Sequence, residues 1–412
     1  MSRFAFLGFA ALALPLSAQV QQSVPQIEFN RDVRPILSDS CFTCHGQDEG
    51  SRKGGLRLDD RASALTGGKT GLPAIVPGKP DESELLLRIM APHDSEDLMP
   101  TAESKKAPLT APQVATLRQW IAEGAEYQAH WGFIPPARPA LPAGANDKNP
   151  LDAFVSVRRS AAGLKAAPEA APETLARRLW LDLVGLPPSP RELDEFIAAY
   201  AKDRDKAYAA LVETLLASPR YGEKWARHWL DAARYADSDG YEKDLPREQW
   251  AWRDWVIKSI NADQPYDQFI IDQIAGDLLA PAERDFQRAQ DLRVATGYLR
   301  NAMVNQEGAI INEQYRIEGM FDRMDAIGKG VLGVTLQCAQ CHTHKFDPIT
   351  HVDYFQVFAA LNNTYEATMR VYGPEKLATL ERVHRDLAAE DAKLKAAQPD
   401  WAQLLSAWAE TQ

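Results

Sequence analysis

The stretch Phe29-Asn30-Arg31-Asp32-Val33-Arg34-Pro35-Ile36-Leu37-Ser38-Asp39-Ser40-Cys41-Phe42-Thr43-Cys44-His45 decides how the first part of the chain is read. Phe29, Val33, Ile36 and Leu37 recur at i, i+4, i+7 and i+8, the spacing of one apolar helix face. That face delivers the chain directly into Cys41-x-x-Cys44-His45, and the pattern returns at Cys338-Ala339-Gln340-Cys341-His342. The two copies use all four cysteines of the 412-residue chain. C-x-x-C-H is the attachment sequence of c-type haem. Two thioether bonds must reach two vinyl groups on one porphyrin edge, and the next residue must bring an imidazole under the iron. The spacing predicts two covalently attached haem c groups, on Cys41 and Cys44 and on Cys338 and Cys341, with His45 and His342 as proximal ligands.

C-x-x-C also serves thiol–disulfide exchange and half of a zinc site. A zinc site made from both pairs would join points almost 300 residues apart. A redox motif expects a βαβ context that neither copy has. The compartment agrees with haem attachment. Met1-Ser2-Arg3, an apolar run over residues 4–16 and Ser17-Ala18 read as a signal peptide over 1–18, too short for the roughly 20 apolar residues of a span. The expectation is a periplasmic or secreted protein with no membrane span after signal removal. Composition excludes other classes: 45% hydrophobic and 25% charged residues fit a folded globular chain. Forty-six basic against fifty-seven acidic side chains, a net charge of −11, leave no broad cationic face for nucleic acid.

Outward from the first motif, residues 26–130 read as a small all-α haem domain. Thr110 and Gln113 form a capping box ahead of Val114, Leu117, Trp120 and Ile121, and residues 85–90 make a short apolar helix. Met90, Met99, His93 and His130 are the candidates for the distal iron ligand there. Met90 continues the Leu85, Leu86, Ile89 cluster and reads as core. Met99 lies in a polar, irregular stretch stiffened by Pro100, where a thioether can leave the chain for the metal. His/Met ligation raises the reduction potential and closes the iron to substrates.

Residues 131–150 are a Pro-rich linker, with five prolines between 134 and 150. Residues 151–365 read as a larger, mostly helical haem-bearing domain, and 366–412 as a charged helical segment or helical pair. The aromatic block near Trp225 and Trp229 reads as core rather than a sugar platform, since aromatics at i, i+4 usually line a helix's buried face. The distal position of the second haem is left to His228, His351, Met303, Met320, Met324 or solvent. His344 and Asp347, next to the motif, could handle protons or a haem edge. The fold class expected is mainly α: a small class I-like cytochrome c domain plus the larger helical one.

Several stretches carry a resemblance. Val33-Arg34-Pro35-Ile36-Leu37 through Cys41-Phe42-Thr43-Cys44-His45-Gly46, Gly55-Leu56-Arg57-Leu58-Asp59, Val76-Pro77-Gly78-Lys79-Pro80 and Met99-Pro100 resemble the planctomycete-type cytochrome c domain. Trp180-Leu181-Asp182-Leu183-Val184-Gly185-Leu186-Pro187-Pro188, the 225–241 block and Cys338-Ala339-Gln340-Cys341-His342 with Lys345-Phe346-Asp347-Pro348-Ile349 resemble the cytochrome-like domain of unknown function that usually follows it. The resemblance implies a secreted dihaem c-type cytochrome and fixes no substrate. Thr343 departs from the acidic residue expected after the second motif. Members commonly carry a further C-terminal domain, so ending at Gln412 suggests a fragment or a split-gene partner.

The function expected is electron transfer between a His45/Met99 haem and a His342-ligated haem, on to a redox partner protein. Two rivals stand beside it: a haem-dependent oxidoreductase of peroxidase or substrate-oxidising type with an open second iron, and a polysaccharide-associated binding module.

Overall fold

The computed structural model describes residues 26–142, 149–308, 310–364 and 366–410. The signal-peptide reading at 1–18 and the middle of the linker, 143–148, lie outside the described residues. The chain divides into two compact units, 1–136 and 137–412. Both are helical: among the described residues the isolated bridges come down to one, Ser238 with Pro246, and no strand forms.

The first unit contains α1 (Arg34–Ser40), α2 (Phe42–His45), α3 (Arg61–Thr66), α4 (Glu84–Ile89) and α5 (Ala111–Ala122). The apolar run ahead of the motif is helical throughout, with a difference in winding: Phe29–Val33 is a π-turn that passes into α1. Phe29, Val33 and Leu37 are buried against Leu58, Ile75, Leu86, Leu117, Trp120 and Ile121. Each such side chain contributes about 1.5–3 kcal/mol by leaving water. Phe29, Trp120 and Tyr127 form an aromatic triad with centroids 4.4–5.6 Å apart. The capping box starts α5 as read: Gln113 Oε1 accepts from the Thr110 N–H at 2.8 Å and from its hydroxyl at 2.9 Å. Backbone bonds from Ile27 to Glu123 and Asn30 to Gln128, both 2.9 Å, tie the entrance of the unit to its exit. The loop after α3 turns at Gly67, where φ is +81° and a Cβ would stand 2.0 Å from the Leu72 carbonyl oxygen, so only glycine fits.

The second unit runs α6 (Pro150–Ala161), α7 (Pro172–Val184), α8 (Pro190–Lys202), α9 (Arg204–Leu216), α10 (Pro219–Ala232), α11 (Trp250–Asn261), α12 (Tyr266–Leu279), α13 (Phe286–Ala295), α14 (Asn312–Ala326), α15 (His351–Leu361), α16 (Pro374–Ala397) and α17 (Trp401–Glu410). Three clusters make its core. Trp180, Phe196 and Leu211 join α7, α8 and α9. Trp252, Trp255, Phe269 and Tyr298 join α11, α12 and the turn after α13. Met324, Leu336, Ala339 and Tyr354 join α14 and α15 to the second cysteine motif. The C-terminal end, read as a helical segment or a helical pair, holds α16 and α17.

Candidate functional site

The first motif is built on two consecutive helical turns. Cys41 ends α1, with its N–H donated to the Leu37 carbonyl at 2.8 Å, and opens α2, where the His45 N–H returns to the Cys41 carbonyl at 2.8 Å. The turn holds both sulfurs and the imidazole on one short segment. Loops then lock it: the Lys53 N–H reaches the Cys44 carbonyl at 2.7 Å, and the Leu58 N–H the His45 carbonyl at 2.8 Å. Tyr127 donates its hydroxyl to the Leu58 carbonyl at 3.0 Å, and Arg52 spans the carbonyls of Gly46 and Gln47 at 3.0 and 2.7 Å. Arg52 and Tyr127 act on the site only through space, and nothing in sequence spacing marked them.

Burial, aided by neighbouring Cys44, pushes the Cys41 thiol up to about 12. A thiol built for disulfide exchange has the opposite shift, because the thiolate is the nucleophile. Burial also holds the His45 ring below the ordinary histidine value, against the Lys53 backbone and with a smaller push from the Arg88 charge. A neutral imidazole is what a metal requires. Its Nδ1 is buried without a hydrogen-bond partner among the described residues.

Met99 packs on the same core cluster as Cys41 and Phe42, and its N–H donates to the Arg88 carbonyl at 3.1 Å. Met90 corrects the sequence reading. It is 56% exposed and lines a cavity of about 560 Å³ with Arg88, Asp97 and Arg118, not the core, because α4 ends at Ile89 and Met90 already turns outward. His93 is exposed, and His130 accepts from the Gly132 N–H at 3.2 Å as the cap of a short turn.

The second motif is more open. Leu336 and Ala339 of the 3₁₀ turn Leu336–Gln340 are buried, while Cys338, Cys341 and His342 are exposed. His342 Nδ1 lies 2.8 Å from the Thr343 carbonyl, which can only accept, so Nδ1 is the donor there. His351 donates Nδ1–H to the Ala339 carbonyl at 3.0 Å.

His344 is a structural residue, which corrects its reading as a proton handler or haem-edge group. It is 5% exposed. Its Nδ1 accepts the backbone N–H groups of Phe346 and Asp347 at 3.2 and 2.8 Å, so its Nε2–H faces the Thr335 hydroxyl at 3.0 Å. Both ring nitrogens are spent on folding the loop that follows the motif.

Of the other distal candidates, Met324 packs beneath Leu336 and Ala339, and Met320 is buried with its sulfur 3.5 Å from Arg323 Nη1. Met303 is exposed near Gly240, and His228 is exposed on α10 beside Trp225. Trp229 is core, stacked on Tyr298 at 5.4 Å, but Trp225 is 40% exposed under Lys224, so the core reading holds for one of the pair.

These residues fit haem c. Among the described residues no group of three or more His, Cys, Asp or Glu side chains is arranged to hold a metal ion unaided. All four thiols are free of disulfides. An iron taken up at a lone imidazole beside two thiols must bring its own equatorial ligands, as a porphyrin does.

Residues 41–103, which hold the first motif, match the family model described as Planctomycete cytochrome C, a match that suggests a c-type cytochrome with covalently bound haem c. That match begins on Cys41 and includes Met99. Residues 150–366, more than half of the chain, match the model described as Protein of unknown function (DUF1549), and the chain belongs to that family. No curated protein and no solved structure matches it. No helix among the described residues is long and apolar enough to cross a membrane.

Proposed function

We propose that the protein is an extracytoplasmic dihaem c-type cytochrome that transfers electrons to a redox partner protein. The observation that carries this reading is the second Cys-x-x-Cys-His, exposed for attachment over buried Leu336 and Ala339, with the His342 Nδ1–H donated to the Thr343 carbonyl. Cys41 and Cys44 would hold one haem and Cys338 and Cys341 the other. Haem supplies one-electron chemistry when bound. His45 presents a neutral imidazole for ligation, His342 would ligate through Nε2, and Met99 offers a thioether from the core beside the first motif. The net charge of −11 favours a cationic partner surface and a rate that falls with added salt. Potentiometric titration of protein matured in a haem-c-competent host tests the proposal. Two one-electron steps per chain are expected, and a single step contradicts it.

A second reading, a haem-dependent oxidoreductase with an accessible second iron, is favoured by one set of observations. Met320 and Met324 are committed to core packing, which withdraws two of the five side chains weighed for the sixth position. A high-spin ferric band that shifts with cyanide supports this reading, and its absence removes it.

A further inference from the structure

We propose that Arg234, Arg247, Arg300 and Arg323 form a binding site in the second unit for an oxyanion, a carboxylate or phosphate whose paired oxygens match the guanidinium fork. Few charges are met in their neighbourhood. Asp322 pairs with Arg234, Glu366 is shared between Arg300 and Arg323, and Asp239, buried beside Arg247, is already hydrogen-bonded by Gln306 at 2.6 Å. Arg247 spends Nη1 on the Ala302 carbonyl at 2.7 Å. Four guanidinium groups therefore face three carboxylates.

Donors are left over where they cannot reach water. Nε and Nη1 of Arg234, Nε of Arg247 and Nε of Arg323 are buried without a hydrogen-bond partner among the described residues, and Arg323 as a whole is 6% exposed. Folded proteins rarely leave charged donors in that condition unless something else satisfies them. Burial holds Arg247, Arg300 and Arg323 below the ordinary arginine value, and neighbouring guanidinium groups add to the effect at Arg247 and Arg323.

Arg234 gives an independent sign. It follows α10 with φ of +61°, and the Tyr235 N–H closes the helix end on the Leu230 carbonyl at 2.9 Å. Glycine or asparagine ordinarily fills that left-handed position. The chain carries instead a long cation with two orphaned nitrogens, a local strain of the kind that collects at ligand clamps.

Two sources could supply the oxyanion. Arg323 and Met324 are successive on α14, and Met324 packs with Leu336 and Ala339 of the attachment segment. One source is therefore a propionate of haem bound at Cys338 and Cys341, an assignment that rests on the dihaem reading. The other is a separate anionic solute.

The test uses full-length holoprotein, its haem count read by intact mass on the same preparation, against Arg234→Gly, which suits the backbone, and Arg247→Gln. Inorganic phosphate is titrated by calorimetry, and the second haem's potential is read by spectroelectrochemistry. A solute site predicts phosphate binding that both variants weaken about ten- to a hundredfold. A propionate site predicts no phosphate binding and a lower second-haem potential in both variants, with the first haem unmoved. Unchanged potential together with phosphate binding that is absent, or that both variants retain, overturns the proposal. A preparation with one haem per chain contradicts the dihaem reading instead, and the phosphate titration then decides the arginine site alone. If one variant fails to fold, the other decides.

Discussion

His351 donates its Nδ1–H to the Ala339 carbonyl oxygen at 3.0 Å, so the first residue of α15 is tied to the middle of the second Cys-x-x-Cys loop. Its ring also meets Phe355 edge-on with centroids 4.9 Å apart. His351→Ala should lower the stability of the holoprotein by about 1 kcal/mol in chemical denaturation. A distal-ligand role would instead appear as a changed spin state with little loss of stability.

His344 should be the more costly histidine to remove. His344→Ala strips partners from the Thr335 hydroxyl and from the N–H groups of Phe346 and Asp347, all of them part-buried. A loss of about 2–3 kcal/mol is expected, since each stranded polar group carries its own desolvation cost. Denaturation midpoints check it, and an unaltered midpoint with altered haem turnover would restore the proton-handling role.

Met99→His separates ligation from packing. With a thioether ligand, the substitution lowers the first haem's reduction potential by a sizeable part of the ~0.8 V range that axial ligation spans. If Met99 is only a core residue, stability changes and the potential does not. Spectroelectrochemistry reads the difference directly.

Ser189 and Glu192 cap α8 reciprocally, with the Ser189 N–H on Glu192 Oε2 at 2.7 Å and the Glu192 N–H on Ser189 Oγ at 3.3 Å. Ser189→Ala should cost about 1 kcal/mol near neutral pH. The Ser189 hydroxyl and then its N–H hold the Glu192 carboxyl below its ordinary value. The contribution is therefore complete above the ordinary glutamate pKa and is lost as pH falls through the lower folded one. Melting temperatures measured against pH should show wild type and variant converging in acid.

Much of this was legible in the sequence because it is local. The helix into Cys41 and the Thr110–Gln113 box depend on residues a few positions apart, and the structure forms both. Met90 was misread for a local reason as well: its apolar neighbours suggested a continuing face, but the helix ends one residue earlier. His344 was misread because its partners include Thr335, on the other side of the motif, which no periodicity links to it. The arginine group was invisible for the same cause. Its members come from the end of α10, the loop before α11, the turn after α13 and from α14, and only the fold collects them.

The central claim is that both Cys-x-x-Cys-His motifs carry covalent haem, and intact-protein mass spectrometry of material from a maturation-competent host tests it most directly. The predicted result is the mass of the polypeptide plus two haems, reduced to one by Cys338→Ala with Cys341→Ala. A wild-type mass equal to the bare polypeptide, or to the polypeptide with a single haem, contradicts it.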